Sequence, residues 1–245
     1  MALPVCSSPR YEVRLARTPA EVRQAQRLRF EVFNLELGEG LASSYATGLD
    51  QDAYDACCDH LVVFAADTGE LAGTYRLQTG AAAAAGLGYY SEQAFDCSAF
   101  EPLRLHVVEI GRACVHPRHR HPGALGWLWK GIGGYARDRR ARYLIGSSSL
   151  PTIDAGTGWS VYARLAGSHL TPDGQRARPR PGWECPLAEL PAAPPPVPKL
   201  MQAYLGLGAQ ICGAPAWDRA FGTIDFLTLL DLETLQPAAR RRFLS

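Results

Sequence analysis

No stretch of the 245-residue chain approaches the ~18 apolar residues of a membrane helix. The N-terminus also lacks the basic, apolar and small-residue succession of a secretory signal. The seven cysteines are odd in number, irregularly spaced, and include the adjacent pair Cys57 and Cys58, which does not make a disulfide framework. They read as reduced thiols, so a cytosolic protein is expected, with contact at a membrane surface left open. Net charge is only +1, so bulk electrostatics point to no particular partner, and no nucleic acid is expected. Internal repeats are absent. No Lys-Ser/Thr follows the glycines, which excludes a nucleotide P-loop. Gly146-Ser147-Ser148-Ser149 lacks the second glycine of a serine elbow and has no obvious histidine partner, so covalent catalysis by serine or cysteine is not expected. His116, His119 and His121 have no cysteine or carboxylate near them in sequence to complete a tetrahedral site, and no metal is expected.

What the chain does have is a 47% hydrophobic content, ample for the core of one domain spanning residues 1–245. Tyr11–Ala16 alternates as a strand. Thr18-Pro19-Ala20-Glu21 then supplies an N-cap, a proline at the first helical position and a capping-box acid, predicting a helix over about 19–34. His60–Ala66 and Leu71–Gln78 read as a hairpin across Asp67-Thr68-Gly69-Glu70. The alanines at 81–85 read as a mobile loop or a short helix. Leu105–Val115 is the longest strand candidate, followed by a helix at about 124–139, a strand at 142–147 and a helix at 158–169. Residues 171–198, rich in proline, form an insertion or lid, and strands at 209–214 and 223–232 close the chain. This order predicts an α/β fold, a mixed central sheet with helices on both faces.

Charge is unevenly placed: Arg112 to Arg142 holds eight Lys/Arg and one acid, a local +7 against −6 elsewhere. Within it, Val115-His-Pro-Arg118-His-Arg120-His-Pro-Gly123-Ala124-Leu125-Gly126 joins a strand to a helix. A glycine turn at a helix N-terminus presents free N–H groups to an anion, and the arginines add charge-assisted bonds. The anion is the pyrophosphate of coenzyme A or the phosphopantetheine of a carrier protein; an ordinary surface turn is the alternative. Just upstream, Glu109 and Arg112 interrupt an apolar strand. Alternation puts them on opposite faces unless Gly111 introduces a bulge. A half-buried Glu109 has a raised pKa suited to taking a proton from an ammonium group, or else it forms a structural ion pair. Arg29, Phe33, Asp52, Asp55 and Arg76 form a third set, able to grip a charged amino acid or simply to be solvated.

Leu28-Arg29-x-x-Val32-Phe33, Asp52-x-x-Asp55, Gly73-x-x-Arg76-Leu77 and Glu109-x-x-Arg112 resemble the signature of acyl-homoserine-lactone synthases, which have the GNAT fold. Gly88–Asp96, Val108–Pro117, Ile145–Thr152 and Cys212-Gly-x-Pro-Ala-Trp-Asp218 are more similar still to the ornithine-lipid N-acyltransferases, also called hemolysin-like. The resemblance covers roughly residues 11–244. It implies transfer of a 3-hydroxyacyl group from acyl carrier protein to the α-amine of ornithine, with no permanently bound cofactor. Glu109 would activate the amine, with Arg29 and Arg112 ordering the site. Phe33, Asp52, Asp55, Arg76, Ser147 and Ser148 would bind substrate. The loop Val115, Arg118, Arg120, Gly123, Ala124, Leu125 and Gly126 would receive phosphopantetheine, and Lys130, Arg137, Arg139 and Arg140 the acidic carrier protein. Leu125 stands where the GNAT phosphate loop has a small residue and would crowd a pyrophosphate, which favours the carrier protein over coenzyme A. No tryptophan occurs in residues 35–41, unlike the lactone synthases. Acylation of another amine, homoserine lactone synthesis, a non-catalytic thioester-binding module and a membrane-lytic protein are the other readings. A long-chain product implies contact with the inner membrane, to which the tail Arg240-Arg241-Arg242 would add cations.

Overall fold

The computed structural model describes residues 11–121, 124–192 and 195–244. The chain runs β1 (Tyr11–Leu15), α1 (Pro19–Phe30), α2 (Ser44–Thr47), β2 (Asp59–Ala65), β3 (Leu71–Thr79), α3 (Gly80–Ala85), β4 (Phe95–Asp96) and β5 (Val107–Val115). It continues through α4 (Ala124–Asp138), β6 (Tyr143–Leu150), α5 (Ala155–Ala166), β7 (Arg178–Pro179), α6 (Lys199–Gly206), β8 (Gln210–Ile211), β9 (Ala216–Asp218), β10 (Thr223–Asp231) and α7 (Pro237–Phe243). The capping signal at the first helix is realised: the Thr18 hydroxyl accepts from the Glu21 N–H at 3.2 Å. Past Phe30 the helix widens into a π-helical turn, Glu31–Glu36, longer than the sequence predicts. The alanine run is a helix, α3, because the Thr79 hydroxyl caps it through the Ala82 N–H.

The main sheet has the order β1-β2-β3-β5-β6-β10-β8, with β9 also on β10. Every pair is antiparallel except β5–β6. Period-two alternation divides the core between the faces. Leu61, Val63 and Ala65 of β2 pack with Leu128, Ile132 and Tyr135 of α4. Val62, between them, packs with Ala25 and Leu28 of α1 on the other side. The proline-rich stretch is pinned rather than free-standing. β7 pairs with β4, Glu184 bridges to Ala216, and the Trp159 indole donates to the Pro186 carbonyl at 2.9 Å.

Two irregularities in β5 position everything that follows. Thr74 of β3 faces Cys114 and Arg76 faces Gly111, so Arg112 and Ala113 together oppose Tyr75. This is the bulge the glycine suggested, with Arg112 itself in the left-handed region at φ 51°. On its other side β5 pairs with β6 only from Val107↔Tyr143 to Glu109↔Ile145, although both strands run on for several residues. Beyond that point they part and open a cleft in the sheet. Gly146 sits at the vertex: a Cβ there would lie 2.2 Å from the Ile110 carbonyl oxygen. Gly146→Ala is therefore expected to force the two strands apart and cost about 1–3 kcal/mol, read as a lowered Tm in thermal unfolding.

Candidate active site

Three arginines and three aspartates lock α1, the segment after α2, β3 and β5 together. Arg29 is fully buried; its Nε donates to Asp50 Oδ1 at 2.8 Å and its Nη2 to Asp55 Oδ2 at 2.9 Å. Arg76 Nη1 donates to Asp52 Oδ1 at 2.6 Å and Asp55 Oδ1 at 3.2 Å. Arg112 closes the set, with Nε to Asp50 Oδ1 at 3.3 Å and Nη2 to Asp52 Oδ2 at 3.1 Å. Burial alone would raise the Asp55 pKa, but the Arg29 and Arg76 guanidiniums hold it at about 2. Asp52 and Asp55 also form a capping box on the helical turn Ala53–Ala56, which fixes their directions. All five residues expected from the sequence meet here or beside it, but Asp52 and Asp55 brace arginines and do not line the cavity. Asp50, which sequence reasoning missed, is the most deeply buried of the acids, at 1% exposed.

The cavity, about 330 Å³, passes through the β5–β6 cleft. One side is polar: Glu109, Arg112, Tyr90, Ser147, Ser148, Ser149, Asp218 and Asp225 line it, with Phe33 and Phe221. The other side is apolar, lined by Trp129, Leu144, Leu200, Met201, Tyr204 and Leu230. Glu109 stands at the last paired position, with its two oxygens accepting the Tyr90 N–H at 2.6 Å and the Ser91 N–H at 2.8 Å. Burial raises its pKa, against the opposing pull of those N–H donors and of Arg76. The Tyr90 ring lies under both cavity guanidiniums, 4.6 Å from Arg112 and 5.0 Å from Arg76. The bulge thus puts Arg112 on the same side as Glu109. Ser148 is held by Thr228, Oγ to Oγ1 at 3.2 Å.

A second acidic group, unforeseen from the sequence, lies further along the polar wall. Asp225 accepts the Thr223 hydroxyl at 2.9 Å, and Asp218 accepts the Phe221 N–H at 2.8 Å. Burial lifts the Asp225 pKa to about 6, with the neighbouring Asp218 charge pushing the same way and Ser149, Thr223 and Arg112 opposing. Burial, then the charge of Asp225, also raises Glu39. The available signal was an acid interrupting an apolar strand, the feature that marked Glu109.

The expected anion loop is differently engaged. Arg118 pairs with Glu70, and Arg120 pairs with Glu36, its Nη2 at 2.8 Å from Oε2, while its Nε donates to the Val115 carbonyl at 3.0 Å. Their charge is already met by carboxylates distant in sequence. Gly123 lies outside the described residues, and Leu125 is half-buried against the main core. Gly126 approaches Arg242 of α7, whose Nη2 would be 2.9 Å from a Cβ there. Lys130 is exposed beside the Trp127 ring, its Nζ 5.7 Å from the centroid. Arg137, Arg139 and Arg140 sit at the far end of α4, about 20 Å from the loop at 1.5 Å per residue. Arg137 donates to the Leu244 carbonyl at 3.1 Å and Arg139 is 3.6 Å from Asp59.

The fold also supplies the carboxylate that the histidines lack in sequence: Glu70 is 3.0 Å from His119 Nε2 and 3.7 Å from His116 Nε2. His116 Nδ1, however, accepts the Arg118 N–H at 3.2 Å. A neutral His116 then carries its proton on Nε2, toward Glu70, the reverse of what a ligating nitrogen requires. With Tyr11 bonded to His119 at 3.0 Å and His121 at 2.8 Å, the cluster is a hydrogen-bonded clamp on the loop.

Residues 28–130 match the family model described as the acetyltransferase (GNAT) domain. A Rhodobacter capsulatus protein named L-ornithine N(alpha)-acyltransferase is 32% identical over 241 residues, covering 94% of this chain and 93% of that one. A Brucella abortus protein of the same name is 32% identical over 241 residues, covering 91% and 85%. Among solved structures, FeeM, an N-acyl amino acid synthase from uncultured soil microbes, superposes with a TM-score of 0.57 at 16% identity, covering 97% of both chains. The AHL synthase LasI does so with 0.54 at 10% identity, covering 96% and 95%. These two likenesses concern the fold alone.

A carboxyl whose pKa rises on folding, here from 3.8 to about 6, binds protons more tightly in the native state. Its contribution to stability is therefore lost as pH rises between those values. Asp225→Asn is expected to be more stable than the parent by up to about 2–3 kcal/mol at pH 7.5 and no more stable at pH 4. Unfolding curves at the two pH values check this.

Proposed function

This chain belongs to the L-ornithine Nα-acyltransferase family and is a GNAT-type acyltransferase, and we propose that it transfers a 3-hydroxy fatty acyl group from acyl carrier protein to the α-amine of L-ornithine. The product is a lyso-ornithine lipid, the first intermediate of ornithine-lipid synthesis. The observation that carries this reading is the cleft: β5 and β6 stop pairing at Glu109↔Ile145, and the cavity crosses the sheet there. Past the vertex the facing strand edges offer backbone N–H and C=O groups, partners for the two amides of phosphopantetheine as an added strand would be. The thioester carbonyl then sits beside Glu109, its acyl chain against Trp129, Met201 and Tyr204, and the amine approaches from the side of Arg112 and Tyr90.

The amine arrives as an ammonium ion and must lose a proton before it can attack. The Glu109 carboxylate, with its pKa raised by burial, accepts that proton directly or through one water. The nitrogen lone pair then forms the new bond to the thioester carbon. Collapse of the tetrahedral oxyanion breaks the carbon–sulfur bond, and the departing pantetheine thiolate takes the second proton, which the nitrogen, cationic after attack, gives up as it becomes an amide. No protein nucleophile and no bound cofactor is needed. Arg29 acts at one remove, holding Asp50 and Asp55 so that Arg76 and Arg112 keep their places.

Loop residues Val115 to Gly126 would guide the pantetheine arm, and the exposed basic surface of α4 the acidic carrier protein. Among the described residues no helix is long and apolar enough to cross a membrane. Our reading keeps the protein cytoplasmic, touching the inner membrane peripherally through α7, where Arg240, Arg241 and Arg242 add attraction to anionic headgroups.

Mass spectrometry of purified protein with 3-hydroxyacyl carrier protein and an amino-acid pool is expected to give N-acyl-ornithine. The matched coenzyme A ester should yield less product. Product from the coenzyme A ester alone would overturn the donor, and a different N-acyl amino acid the acceptor. Glu109→Gln should lower kcat about 10²–10⁴-fold with the same donor and acceptor. The glutamine amide cannot accept both the Tyr90 and Ser91 N–H groups, so a loss of about 1–3 kcal/mol in stability should accompany it. Stopped turnover measured below the lowered Tm separates the two effects.

A further inference from the structure

The cavity's charges divide into two sets that differ in one respect. The guanidiniums of Arg76 and Arg112 are already balanced by Asp50, Asp52 and Asp55. Along the opposite part of the same wall stand Asp225, Asp218 and Glu39, and among the described residues no lysine, arginine or histidine lies within ion-pair distance of any of them. Asp225 and Asp218 are each 6% exposed, and both line the cavity. Their partners are the Thr223 and Ser149 hydroxyls on Asp225 and a backbone N–H on Asp218, which orient the carboxylates without bringing a cation. A carboxylate this buried and without a cation is costly, so it persists where a ligand brings the cation.

The strand register says where that cation must be relative to the reacting amine. Glu109 is paired with Ile145, and Asp225 with Ser149, four residues further along the same strand. An even separation keeps all four on one face of the sheet. Four residues along β6 and two strand spacings across it put the Cα atoms of Glu109 and Asp225 about 16 Å apart. Each side chain spans part of that distance. Two ammonium groups separated by four carbons, as in a 2,5-diamino acid in extended form, with a hydrogen bond of about 2.8 Å at each end, bridge about 12 Å between carboxylates.

We propose that Asp225, flanked by Asp218 and Glu39, binds the side-chain ammonium of the acceptor and makes the enzyme selective for a dibasic amino acid over a neutral one. The inference rests on the reading that the acceptor is an amino acid whose α-amine meets Glu109, and it assigns the other end of that molecule. The α-carboxylate is left to Arg112, the cavity guanidinium whose charge also acts on Asp225.

The test compares ornithine with norvaline, which has the same carbon chain and no side-chain amine, using the full-length enzyme and one acyl donor. The parent should favour ornithine in kcat/KM. In Asp225→Asn the ornithine-to-norvaline ratio should fall at least about tenfold, chiefly through a raised KM for ornithine, the loss expected for one charge-assisted bond. Asp218→Asn, at the end of β9, should lower the ratio in the same direction and serves if the first variant fails to fold. An unchanged ratio in a folded variant overturns the assignment, as does an equal loss for both acceptors. A parent that acylates norvaline as readily as ornithine overturns the acceptor reading itself, a failure visible before any variant is made.

Discussion

The structure depends on the ion cage around Arg29. A guanidinium with no exposed surface, reached from α1, can exist only where acids surround it, and Asp50 and Asp55 do so from a segment with little regular structure of its own. Removing one member would leave a buried charge unpaired, so the cage behaves as one unit. It also fixes Arg76 and Arg112, and their guanidiniums carry the Tyr90 ring. The backbone N–H of that same tyrosine holds Glu109. A chain of contacts therefore runs from the first helix to the proposed base, and each link is a short polar or cation–π contact.

The cleft gives this chain of contacts its use. A fully paired sheet would have separated the polar face, where Glu109 and Asp225 stand, from the apolar face covered by α4. Ending the β5–β6 ladder at Glu109 lets one cavity cross between them. A long acyl chain and a charged amine cannot share one solvent, and the crossing lets each keep its own surroundings up to the atom where they join. The bulge at Arg112 belongs to the same design, because without it the guanidinium would face α4.

Much of this was legible in the sequence. Glu109 and Arg112 stood out as charges in an apolar strand, Gly111 marked the bulge, and Thr18-Pro19 marked the helix start. These signals are local, set by side chains within a few residues of one another. Asp50, Tyr90 and Asp225 were not found, because their roles depend on partners brought by other elements. Asp225 acquires its setting only when β10 pairs with β6, and Tyr90 acts through a backbone N–H that any residue has. The same limit applies to the basic loop. Arg118 and Arg120 looked free because Glu70 and Glu36 lie tens of residues away in the chain.

That pairing bears on the donor. Coenzyme A presents a pyrophosphate, which needs uncommitted cations and close backbone approach at the helix N-terminus. Here Arg118 and Arg120 already pair with Glu70 and Glu36, Leu125 is half-buried against the core, and the cation beside Gly126 is Arg242 from α7. The pantetheine arm, by contrast, is neutral along most of its length and asks for strand-like hydrogen bonds, which the parted edges of β5 and β6 can give. A donor joined to a carrier protein brings its single phosphodiester at the mouth of such a channel and leaves the remaining charge on the carrier's own surface. The paired loop thus agrees with the proposed carrier-protein donor, for which recognition would rest on a groove of backbone amides and an external protein contact instead of a phosphate pocket.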